Sequence, residues 1–169
     1  MKNIVLLACL LLFAGLGPCQ AEQLEIGGFV LDNPLGPTEV EKLGLNAWGC
    51  TWPAGVPYKE AQVELIVASF PADAAKEITE AGDSVTEVAL TTYLGLSGAP
   101  EQINKTLFMK GTEARRVYHS SIPRDHETHV FSKRLDDDSF VMVGVRYFVP
   151  PTSANGSLLQ SIANTFAVK

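Results

Sequence analysis

The chain has 169 residues, 19 acidic against 13 basic, for a formal net charge of −6 at neutral pH. That balance excludes a nucleic-acid binder, which needs a basic face to neutralise phosphates, and it excludes adhesion to anionic lipid by charge alone. Only Cys50 of the three cysteines lies beyond residue 19, so the chain after that point has no internal disulfide to form.

Met1 to Ala21 reads MKNIVLLACLLLFAGLGPCQA. Lys2 supplies a positive start, Ile4 to Leu16 is almost wholly apolar, and Gly17-Pro18 breaks the run, which is the three-part pattern of a secretory signal peptide. The apolar stretch is shorter than the roughly 20 residues that cross a bilayer. Two processing sites fit. One lies after Ala21, with Cys19 as the small residue at −3. The other lies before Cys19, with lipid then attached to that cysteine; Leu16 and Gly17 suit it and Pro18 does not. The expectation is residues 1–21 as signal peptide and 22–169 as a single domain, secreted or periplasmic, touching a membrane only if lipidated at Cys19. Losing Lys2 takes the charge from −6 to −7. A domain of this size buries enough surface to fold without metal or disulfide.

In chain order, Leu24 to Leu31 predicts a strand broken at Gly27-Gly28. Turns follow at Asp32-Asn33-Pro34 and Gly36-Pro37. Glu39 to Leu43 reads as a short helix or a loop crossing. Residues 44–58, rich in glycine and proline, read as an ordered loop around Trp48 and Trp52. Cys50 lies between these indoles as a small apolar residue. A nucleophilic role would need a histidine or other positive neighbour, and the local sequence supplies none. Gln62 to Phe70 holds a β-rich run, Val63 to Val67, that predicts a strand buried on both sides. Pro71 opens a helix and Gly82 closes it. Ser84 starts another, with Glu87 completing a capping box and Val85, Val88, Ala89 and Thr92 as its apolar face. Gly95 to Pro100 ends it.

The second half reads as a strand meander. Lys105–Lys110 and Glu113–Ser120 flank Gly111-Thr112, and Glu127–Leu135 and Ser139–Val149 flank Asp136-Asp137-Asp138. Phe140 to Val149 is apolar on both faces, which predicts a central strand, and Pro150-Pro151 stops it. A helix from about Ser153 to Val168 closes the chain, with Leu158, Leu159, Ile162, Ala163 and Phe166 as its core stripe. This order predicts an α+β fold: an antiparallel meander with helices packed on one face, a two-layer sandwich.

The final 65 residues resemble the PsbP-like superfamily, which includes small bacterial envelope proteins of the DcrB type. The resemblance rests on the hairpin Lys110-Gly111-Thr112-Glu113-Ala114-Arg115-Arg116-Val117-Tyr118, on the two long strands joined by an acidic turn, and on the closing helix Leu158 to Phe166 with its late aromatic. It implies an antiparallel sheet covered by helices and a non-enzymatic role in binding or in assisting a larger assembly. It brings no shared catalytic residues.

The densest polar cluster is Arg124-Asp125-His126-Glu127-Thr128-His129, with His119 just before it. Zinc takes imidazole and carboxylate ligands, so His119, His126 and His129 are the candidate metal set. On a strand, however, His126 and His129 point to opposite faces, whereas His119 can meet His129 across a hairpin. Asp136 to Asp138 is too short for an ordered calcium loop, which needs six or more oxygens, and reads as a solvated turn. Arg115 and Arg116 fall on opposite strand faces. Gly95-Leu96-Ser97-Gly98-Ala99 lacks the last glycine of a nucleophile elbow and follows a helix rather than a strand. No phosphate loop, paired-cysteine set or HExxH motif occurs, and no cofactor is expected. Asn104-Lys105-Thr106 and Asn155-Gly156-Ser157 match glycosylation acceptors.

The expectation is an exported, non-catalytic envelope protein that binds a protein partner or small ligand, with Trp48, Trp52 and Tyr58 as the candidate contact surface. The alternative is a small exported metal-binding protein or metalloenzyme using the three histidines.

Overall fold

A computed structural model describes residues 22–96, 108–112, 115–122 and 124–169, and the backbone of 101–104. The proposed signal segment, with Cys9 and Cys19, lies outside the described residues, as do Ser97 to Pro100 and Lys105 to Leu107.

Seven strands form the main sheet. They are β3 (Glu41–Gly44), β4 (Ala47–Trp52), β5 (Val63–Phe70), β6 (Glu101–Asn104), β7 (Arg115–Ser120), β8 (His126–Arg134) and β9 (Phe140–Tyr147), in the spatial order β3-β4-β5-β9-β8-β7-β6. Every pairing is antiparallel. Two meanders, β3-β4-β5 and β6-β7-β8-β9, therefore meet where β9 returns beside β5. Between them the chain runs through α1 (Ala72–Glu80), α2 (Val85–Ala89) and a π-helical turn at Leu90–Leu94. A second sheet of three strands holds β1 (Glu22–Ile26), β2 (Phe29–Asn33) and the short β10 (Ala167–Val168), which follows α3 (Ser157–Thr165).

The class is α+β, as the order of elements predicts. Both faces of the large sheet are covered. Val63, Leu65 and Val67 of β5, with Val143, Val145 and Tyr147 of β9, pack under Ile26 and Leu31 of the small sheet and Leu158 and Ile162 of α3. Their neighbours Ile66, Ala68 and Met142 point the other way and meet Ala75 of α1, Ala89 of α2 and Leu90 and Leu94 of the π turn. Phe166 joins the first core through a stack on Phe29, with centroids 5.0 Å apart.

The helical crossover is fastened at one point of β9. Arg146 sits opposite Glu64 in the β5–β9 register. It donates from Nη1 to Glu64 Oε2 and from Nη2 to the Leu94 carbonyl, both at 2.9 Å. Both side chains are buried, and burial pushes the Glu64 carboxyl up while the Arg146 charge opposes the shift. Beside them Gly144 leaves room for Leu94: a Cβ there would lie 2.8 Å from Leu94 Cδ1.

Several expectations hold. β5, β8 and β9 lie where the apolar runs place them, with β9 central. Pro71 and Gly82 bracket α1, and Gly82 has φ +87°. Ser84 caps α2 by accepting from the Glu87 amide at 3.5 Å. The acidic turn closes β8–β9, with Asp138 at φ +63°.

Others are corrected. Gly27-Gly28 does not break a strand: it is the two-residue turn of the β1–β2 hairpin, with φ +60° and +83° as a primed turn requires. Of residues 39–43, expected as a helix or loop, Glu39 and Val40 are irregular and Glu41 begins β3, and much of the expected 44–58 loop is β4. A Cβ at Gly49, inside β4, would lie 2.7 Å from Leu43 Cδ1. The described part of the expected 105–110 strand is a turn over Met109 and Lys110, and β7 pairs instead with Glu101–Asn104. The π turn carries one extra residue per turn, so Leu90 and Leu94 are buried and Thr92 is exposed. The closing helix starts at Ser157, later than expected, and ends in β10. Among the described residues no helix is long and apolar enough to cross a membrane.

Candidate functional site

At one end of the second meander, β7 finishes, β8 begins and β9 finishes side by side. The register places His119 opposite Glu127, Glu127 opposite Tyr147, and Ser120 opposite His126. These ends frame a cleft of about 570 Å³. One wall is Tyr147, Phe148, Val149, Pro150 and Pro151; the other carries His119, Ser120, Ser121, Asp125, His126 and Glu127. β9 ends at Tyr147, and the chain bends at Phe148 and Val149 before Pro150-Pro151.

Strand alternation distributes the histidines. His119 and His129 lie on the same face as Glu127, which they flank. His119 Nδ1 is 3.9 Å from Glu127 Oε2, and His129 Nε2 donates to Glu127 Oε1. His129 is buried edge-on against Tyr147, at 5.4 Å between ring centroids. Burial pushes its pKa down to about 4, although the Glu127 carboxylate favours the protonated ring. With its proton on Nε2, the buried Nδ1 is an acceptor without a partner.

His126 lies on the opposite face. Its Nδ1 faces the Arg124 carbonyl at 2.8 Å. A carbonyl only accepts, so Nδ1 carries the proton. Burial lowers the pKa of this ring, and in the neutral ring Nε2 is a second acceptor without a partner. The ring packs 5.4 Å from Phe148, and the Arg124 guanidinium lies 4.3 Å above Phe148.

The three histidines are thus not brought to one point. His119 and His129 share a carboxylate and His126 faces away. Among the described residues no group of three or more histidine, cysteine and acidic side chains is placed to hold a metal ion.

The aromatic set of the first meander is divided as well. Trp52 is 6% exposed and donates from Nε1 to the Gly36 carbonyl at 3.1 Å. Trp48 packs half-buried against the first core, under the Gly27 turn. Tyr58 is 40% exposed and lines a separate groove with Leu43, Thr51 and Glu64. Cys50 is buried between the indoles, and burial pushes its thiol up to about 12, far from a reactive thiolate.

In the acidic turn, Asp137 accepts from the Ser139 amide at 3.0 Å and from the Ser139 hydroxyl, and these bonds hold its carboxyl below the usual range. Arg115 and Arg116 alternate as expected, and burial lowers the Arg115 pKa.

The polar half of the cleft coincides with the cluster singled out in the sequence. Its apolar half does not: Tyr147 and Phe148 read as strand interior and Pro150-Pro151 as a stop. The available signal was their position, directly after a central strand whose end had to open somewhere. Comparison with protein-family models finds no match, and comparison with curated proteins finds none either.

Proposed function

We propose that this is an exported, non-catalytic binding module that seats a small ligand, or a side chain of a partner protein, in the cleft between the ends of β7, β8 and β9. The observation that carries the reading is a concave, mostly apolar site lined by a few polar groups, among them a buried imidazole with an unpartnered nitrogen. The non-catalytic part draws on how the reactive groups are engaged. His129 Nε2 is bonded to Glu127, and the Cys50 thiol is held protonated in the core. The resemblance to PsbP-like proteins points the same way. Export rests on the pattern of residues 1–21.

Two experiments test this. A fragment screen by ligand-observed NMR is expected to give hits that Phe148→Ala weakens about tenfold or more; hits indifferent to that change contradict the site. Mass analysis of the protein recovered from its own cells is expected to show a chain starting at Glu22 or at a lipid-modified Cys19. A cytosolic chain retaining Met1 contradicts export.

A further inference from the structure

We infer that the cleft takes a small cationic amine carrying an apolar body. The inference rests on the reading of the cleft as a binding site and adds the chemistry of what binds there.

The charged groups lining the cleft are carboxylates, set beside the imidazole of His119 and the hydroxyls of Ser120 and Ser121. Asp125 is an exposed carboxylate at the mouth. Glu127 uses Oε1 for His129, while Oε2 has His119 no closer than 3.9 Å. His126 is 7% exposed, and its Nε2 has no hydrogen-bond partner. Its Nδ1 is committed to the Arg124 carbonyl, so in the neutral ring Nε2 can only accept. An ammonium group is the complement: three donors and no acceptor.

Among the described residues no lysine or arginine lines the cleft. Two of the nearby guanidinium groups are engaged elsewhere, while a third, Arg115, lies outside the lining but close enough to Glu127 for their charges to interact. Arg146 is bonded to Glu64 and the Leu94 carbonyl. Arg124 is bonded to the Ala61 carbonyl and lies over Phe148. An anionic ligand would therefore meet two carboxylates with no cation of the lining to answer it. The whole chain, at net −6, also steers cations inward.

The remaining wall of Tyr147, Phe148, Pro150 and Pro151 offers apolar area and almost no hydrogen bonding. A bare ammonium would gain little there against its own desolvation, so the ligand needs a ring or chain to bury. A volume near 570 Å³ holds such a molecule.

The test is calorimetric titration of the purified protein with three probes of one shape: 2-phenylethylamine, 3-phenylpropionate and 2-phenylethanol. The amine is expected to bind at least about tenfold tighter than the acid or the alcohol. Asp125→Asn, a surface change, and Glu127→Gln are each expected to weaken the amine several-fold while leaving the alcohol unchanged. If the acid or alcohol binds as tightly as the amine, and Phe148→Ala removes that binding, the cation inference is overturned while the cleft stands. If none of the probes binds, both fail. Amine binding indifferent to Asp125→Asn, Glu127→Gln and Phe148→Ala places the site elsewhere and overturns the inference.

Discussion

The two faces of the β5–β9 pair are held by different physics. On one face the side chains are Val63, Leu65 and Val67 against Tyr147, Val145 and Val143, and what covers them, α3 and the small sheet, attaches mainly by apolar area, with one bond from the Tyr147 hydroxyl to the Asn155 carbonyl just before α3. On the other face Glu64, Ile66 and Ala68 meet Arg146, Gly144 and Met142. That face holds a buried ion pair, a glycine that admits Leu94, and a guanidinium bonded to the carbonyl where the π turn ends. Apolar area is non-directional, whereas the Arg146 bonds and the Leu94–Gly144 fit set one position. The difference teaches that the helical crossover is located by a few directional contacts, while the opposite layer is held by burial.

The sharpest way to break this comparison is Arg146→Ala. It leaves Glu64 buried without its partner and is expected to cost about 3–5 kcal/mol in urea unfolding, whereas Glu64→Leu with Arg146→Met together recovers most of the loss. If the double variant is as unstable as the single one, the loss comes from the missing bond to the Leu94 carbonyl and not from an unpaired Glu64. On the apolar face, Ile162→Ala is expected to cost about 3 kcal/mol from lost transfer and the cavity left behind. A loss below about 1 kcal/mol would mean that α3 is loosely docked.

A third prediction concerns His129, where the apolar face runs into the cleft. Its ordinary value of 6.5 falls to about 4 in the fold. Between those values the unfolded chain takes up a proton that the folded ring refuses, so stability is full above about pH 6.5 and declines as pH falls toward 4. The decline attributable to this ring approaches about 3 kcal/mol, and His126 shifts in the same direction. His129→Phe should flatten the unfolding free energy across that window relative to the parent. An unchanged slope would show that the ring is not buried neutral. The smallest effect expected is from Gly144→Ala, about 1–3 kcal/mol from crowding Leu94. It should be relieved by Leu94→Val, and a neutral outcome would remove the close approach from the account.

Much of the fold was legible because period and punctuation agreed. Val141 to Tyr147 is largely apolar on both faces and lies centrally. Pro71 and Gly82 mark α1, and the acidic triplet marks the β8–β9 turn. The β1–β2 hairpin and the strands β3 and β4 were not legible because their glycines read as breaks. Gly27-Gly28 supplies a tight hairpin turn and Gly49 makes room for Leu43. The alternation Trp48, Cys50, Trp52 was the strand signal, hidden by glycine and proline on either side. The π turn shifted the buried face of its helix in a way that 3.6-residue spacing does not encode. At the site, the separation of His126 from His129 followed from strand geometry. The apolar wall did not, because Phe148 and Pro150-Pro151 take their meaning only from which strand ends lie side by side.

Backbone amide NMR of the purified protein titrated with 2-phenylethylamine tests the central claim most directly. Perturbations confined to residues 119–122, 124–127 and 147–149 are the expected result. Perturbations centred on Trp48, Trp52 and Tyr58, or none at all, would contradict the assignment of the cleft as the binding site.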